Sequence, residues 1–131
     1  MSAQSDARAE ITSILNAITY NGDPLQVRDN PSNVNPWCVV IGTADPVLTN
    51  SNTSGSRGDY QYNLQLQFVG NGPDSLEPLE GIVENAILAL ADSDYWFPGD
   101  ASAPYWGDGG DGKVYLTITL PATKLIEIGG L

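Results

Sequence analysis

Histidine is absent from this chain, and cysteine occurs once. The first absence removes the usual general base of hydrolytic triads, cysteine–histidine catalysis and the commonest metal ligand together. A single thiol, Cys38, forms no intrachain disulfide and cannot build a thiolate zinc site. It lies in the apolar run Trp37–Ile41, where a buried structural thiol is expected. Basic residues are also scarce: 5 against 16 acids, for a formal charge of −11. Grasping nucleic acid or an anionic membrane requires clustered Lys and Arg, so neither is expected. No apolar run approaches transmembrane length, and Met1–Glu10 lacks the apolar centre of a signal peptide, so cytoplasmic synthesis without export is expected.

What is present is a strand, a helix and a second strand between Asp59 and Ile126. Tyr60, Tyr62, Leu64, Leu66 and Phe68 alternate with Gln61, Asn63, Gln65 and Gln67, the two-residue period of a strand with one buried and one solvated face. The polar partners are amides rather than charges. Leu79, Ile82, Val83, Ala86, Ile87 and Leu90 then form one helical stripe, capped by Ser75 and started by Pro78. Val114, Leu116, Ile118 and Leu120 alternate again, with Pro121 expected to break the strand and Leu125–Ile128 to form a last short edge. Upstream, Ile11, Ile14, Leu15 and Ile18 mark a helix over Asp6–Thr19, capped by Ser5 or Asp6 and stopped by Asn21-Gly22-Asp23-Pro24. A short strand is expected at Gln26–Arg28, and the β-branched run Pro36–Gly42 reads as a strand buried on both faces. Asp45–Gly58 and Asp92–Gly112 read as long loops. At 131 residues, residues 1–131 make a single α+β domain, a small mainly antiparallel sheet with two helices packed on it.

The acids sit in polar loops and on outer helix faces, where carboxylates are ordinarily solvated, so no catalytic pair and no enzyme is expected. The turn Trp106–Gly112 places carboxylates among glycines. It lacks the spacing of an EF-hand, and Asp-Gly is ordinary turn chemistry, so no metal and no cofactor are expected. The sharper feature is the aromatic set Tyr95, Trp96, Phe97, Tyr105 and Trp106 among acidic residues. Such rings serve as a subunit interface or a lid over the sheet end, or, as the alternative, as plates for sugar rings in a carbohydrate-binding module. The amides Gln61, Asn63 and Gln65 on the outer face of their strand are further interface candidates.

The order of these elements resembles the tail terminator (tail completion or neck) proteins of long-tailed bacteriophages. The resemblance lies in the leading helix Asp6–Thr19, the strand Pro36–Ile41, the loop to Gly58 and the strand Tyr60–Phe68. The helix Leu76–Ala91 and the strand Lys113–Leu120 complete it. It covers most of the chain as a pattern of elements, without an invariant motif. It implies a structural virion protein that assembles as a homo-oligomeric ring, a hexamer, on the end of the tail tube. Its partners would be the tail tube protein and the head–tail connector, DNA would pass through without specific binding, and no membrane would be involved. The family has no catalytic motif, so no residue here inherits a site from it.

Overall fold

In the computed structural model the alternation of Tyr60–Phe68 becomes the central strand β5 (Asp59–Gly70), with Tyr62, Leu64, Leu66 and Phe68 buried. The structure describes residues 2–20, 22–29, 37–50, 59–70, 73–108 and 114–127. The other described elements are α1 (Ala3–Asn16), β1 (Thr19–Tyr20), β2 (Asp23–Pro24), β3 (Gln26–Arg28) and β4 (Cys38–Asn50). A 3-10 turn (Pro73–Ser75), α2 (Leu76–Ala91), β6 (Trp96–Pro98), β7 (Tyr105–Asp108) and β8 (Val114–Glu127) follow. The main sheet has the order β3-β4-β5-β8-β6, with β7 also on β8. Only the β3–β4 pair is parallel among the described strands. The fold is α+β, as the residue pattern predicts.

Both helices lie on one face of the sheet. Leu79, Ile82, Val83, Ala86 and Leu90 of α2 and Ala7, Ile11 and Leu15 of α1 are buried with the inward residues of β4, β5 and β8. At about 1.5–3 kcal/mol per large aliphatic side chain removed from water, this layer is the main source of stability.

Several boundaries differ from expectation. The first helix starts three residues earlier, because Ser2 rather than Ser5 or Asp6 is its cap: the Ser2 hydroxyl accepts from Ser5 N at 3.0 Å. It ends at Asn16, with Ala17 as its C-cap, ahead of the Asn21–Pro24 stop. Ile18 N still bonds the Leu15 carbonyl, and the chain then enters a small hairpin in which Gly22 takes φ +86°. Ser75 holds the N-cap position of α2 but makes no side-chain cap bond. It is buried, and a Cβ at Gly70 would stand 2.7 Å from its oxygen. The close approach of these segments therefore requires glycine at 70.

The strand β4 runs on to Asn50, through residues expected to open a loop. Its ladder jumps from Thr43↔Leu64 to Leu48↔Tyr62, so Ala44–Val47 bulge opposite Asn63 alone. The bulge is stitched by Asn63, whose amide nitrogen donates to the Pro46 carbonyl at 3.1 Å and to Thr49 Oγ1 at 2.8 Å. The remainder of that expected loop, 51–58, lies outside the described residues.

Pro121 does not break the last strand. β8 is continuous from Val114 to Glu127 and pairs with β5 from Leu116 to Glu127, across Pro121. The Pro121 carbonyl accepts from Gly99 N at 2.8 Å, on the side away from β5. The missing proline N–H points the same way, into the gap between β6 and β7, so the β5 ladder loses nothing. The expected loop Asp92–Gly112 likewise contains β6 and β7, both antiparallel to β8.

Candidate functional site: the uncharged sheet face

Because side chains alternate along a strand, the face opposite the helices is set by register. On β5 it presents Gln61, Asn63, Gln65, Gln67 and Val69. On β8 it presents Tyr115, Thr117, Thr119, Pro121, Thr123 and Leu125. Over these stretches neither column contains a charged residue; charge enters at the margins, where Glu127 continues the β8 column to its pairing with Asp59 and Arg28 of β3 stands in register with Val40. At one end Cys38, Val69 and Tyr115 form a small buried cluster, which places Cys38 in the core as its apolar neighbours predict. Toward the other end the face opens, with Gln65 exposed and Gln61, Asn63 and Gln67 half-buried.

The polar side chains of this face are cross-linked. Thr123 Oγ1 donates to Asn63 Oδ1 at 3.1 Å, so Thr49, Asn63 and Thr123 form one ladder across three strands. Asn63 is therefore committed to internal bonds, whereas Gln65 is open to a partner. Tyr105 OH and Thr119 Oγ1 lie 2.9 Å apart. The segment from Gly99 to Ser102 fills the edge between β6 and β7. There Ser102 N donates to the Thr119 carbonyl at 2.8 Å, and Thr119 N donates to Ser102 Oγ at 3.0 Å.

The five candidate rings separate. Phe97, opposite Thr123, and Tyr105, opposite Thr117, border the uncharged face and are 53% and 40% exposed. Tyr95 is 65% exposed and sits at φ +66°, its carbonyl accepting from Leu125 N at 3.0 Å. Trp106, opposite Leu116, belongs to the helix side of the β7 edge, with 54% of its surface exposed. Trp96 corrects the expectation of a surface ring. At 2% exposure it is a core residue, and its indole nitrogen donates to Glu10 Oε1 at 2.5 Å. Lys124 Nζ donates to the same carboxylate oxygen at 2.5 Å and lies 5.3 Å from the Trp96 ring centre. The hydrogen bond from Lys124 is the largest influence lowering the Glu10 pKa, with Trp96 adding to it and partial burial opposing.

The sequence conveyed the amide column but not its neighbours. Thr123 and Leu125 join the site through the continuation of β8 past Pro121, and Phe97 through a three-residue strand too short to show a period. Among the described residues no group of three or more His, Cys, Asp or Glu side chains is placed to hold a metal ion. Most of the Trp106–Gly112 turn, from 109 onward, lies outside the described residues. Among the described residues no helix is long and apolar enough to cross a membrane. Compared with protein-family models, curated proteins and solved structures, the chain gives no significant match.

Proposed function

We propose that this chain is a non-enzymatic structural subunit whose uncharged sheet face meets another copy, in a ring of the kind that terminates the tail tube of long-tailed bacteriophages. The observation that carries the association is the neutrality of the central stretch of that face, Gln61–Val69 and Tyr115–Leu125, on a chain of charge −11. Elsewhere two copies repel. Here they meet through amides, each of which both donates and accepts, and through exposed Phe97 and Tyr105 at the margin. Tyr95 supports the same reading, since a non-glycine residue at positive φ with its ring in solvent costs stability without serving the core. The tail-terminator identity and the hexameric count rest on the order of elements described above. So do the virion location and the contacts with tube protein and connector. The acidic composition suits a ring through which DNA passes without sticking, because few cations are there to displace the counterions of phosphate.

Native mass together with negative-stain images tests this reading. Rings of uniform subunit number are expected, with no retardation of duplex DNA in a gel-shift assay. A monomer under all conditions, or tight DNA binding at moderate salt, would refute it. A second reading, carbohydrate binding, draws on Phe97 and Tyr105 bordering the same face as Gln61 and Gln65. Glycan-array binding that disappears in Phe97→Ala and Tyr105→Ala would favour it.

A further inference from the structure

On the helix side of the sheet, α2 and the segment from Ala101 to Pro104 enclose a groove of about 370 Å³. Val83, Ile87 and Ile118 contribute apolar surface to it, and Glu80 and Glu84 line it from one side of α2. Ser102 also borders the groove, but its hydroxyl already accepts from Thr119 N and donates to the Ala103 carbonyl. The two glutamates stand one helical turn apart, about 5–6 Å between Cβ atoms, so their like charges repel. Among the described residues neither has an ion-pair partner, and the one ion pair there joins Lys124 to Glu10.

We infer that this groove receives a single arginine or lysine side chain from a partner polypeptide. The match is chemical at both ends. A long aliphatic stem packs on Val83, Ile87 and Ile118, while the cationic head reaches the carboxylate rim. The volume admits one such side chain with room for water, and is too small for a helix. Guanidinium is favoured over ammonium, because its planar fork bonds two carboxylates at once and is more weakly hydrated. The inference is independent of the ring reading, which concerns the opposite face of the sheet.

Methyl-resolved NMR titrations of the full chain test it, using acetyl-alanyl-arginyl-alanine amide as the probe. The matched peptide with citrulline, which keeps the shape and removes the charge, is the control. Saturable shifts at Val83, Ile87 and Ile118 are expected, with the citrulline peptide at least tenfold weaker. The double variant Glu80→Gln/Glu84→Gln should lose the effect. Glu77→Gln/Asp92→Asn, which removes two charges from the ends of the same helix, should keep it. Thermal melts verify that both variants fold. Equal shifts with citrulline, equal loss in the two double variants, or no localised shift in the wild type would each overturn the inference. So would calcium ion alone producing the same saturable shifts, since the groove would then be a cation site.

Discussion

Tyr95 carries a cost that a glycine would avoid. The left-handed region disfavours an L-residue by about 1–2 kcal/mol, and the exposed ring regains none of this through the core. Tyr95→Gly relieves that strain but adds freedom to the unfolded chain, costing about 0.5–1 kcal/mol. Its stability in urea should therefore stay within about 1 kcal/mol of wild type, while self-association weakens. A variant that associates normally would remove Tyr95 from the interface. Glu10 presents a different balance. It ties α1 to β6 and β8 through Trp96 and Lys124, and its pKa is lowered below the ordinary 4.5. A carboxyl depressed in the folded state contributes stability that is present above its unfolded pKa and is lost as pH falls through the folded value. Glu10→Gln should accordingly be less stable than wild type at pH 7. The gap should close as pH drops below about 4.5, as followed by urea melts from pH 7 to 3. A gap that stays constant across that range would show that the contact acts through packing alone.

The sheet and its helices make sharper demands on individual positions. Leu66 and Val83 are buried between sheet and helix, whereas Gln65 is exposed on the opposite face. Leu66→Asp or Val83→Asp buries an unpaired charge and should cost more than about 4 kcal/mol. Gln65→Asp should leave the melting temperature of the monomer nearly unchanged, and the reverse ranking would mean the strand phase is wrong. The tryptophans separate in the same way. Trp96→Ala should cost about 3–5 kcal/mol, and Trp106→Ala less than about 0.5 kcal/mol, by chemical denaturation. The layer responsible for these effects was legible in the residues. The β5 alternation and the α2 stripe each repeat long enough for a period to declare itself, and α2 spans Leu76–Ala91 as expected. The edges were not legible, for identifiable reasons. Ala44–Val47 resembles the start of a loop because Asp45-Pro46 is turn chemistry, yet Asn63 holds it within the strand as a bulge. Pro121 resembles a terminator because its direction in the ladder depends on what lies beside β8. The strands β6 and β7 span three and four residues and exist by pairing with β8. Trp96 consequently read as one more loop aromatic. Its burial follows from pairing opposite Lys124, on the helix side of the sheet.

At the scale of the molecule, the distribution of charge matters more than its sum. A chain at −11 resists assembly least where it is neutral. The residues named on β5, β8, β6 and β7 make such a region, bounded at one end by Glu127, while the acids of α2 lie on the other side of the sheet. Repulsion between copies is long-ranged in dilute salt and short-ranged otherwise, since the Debye length falls from about 30 Å at 0.01 M to about 10 Å at 0.1 M. Apolar and amide contacts are affected far less by that screening. Assembly through the neutral face should therefore strengthen with salt, whereas assembly through ion pairs would weaken. A charge placed in the centre of the face should block it without unfolding the subunit. The most direct measurement is light scattering of wild type and Gln65→Asp side by side across a salt series at fixed protein concentration. Wild type is predicted to move from monomer toward a ring of uniform mass as salt rises, and Gln65→Asp to remain monomeric and folded throughout. Identical masses for the two proteins at every salt concentration, or wild-type assembly that dissolves as salt rises, would contradict the account.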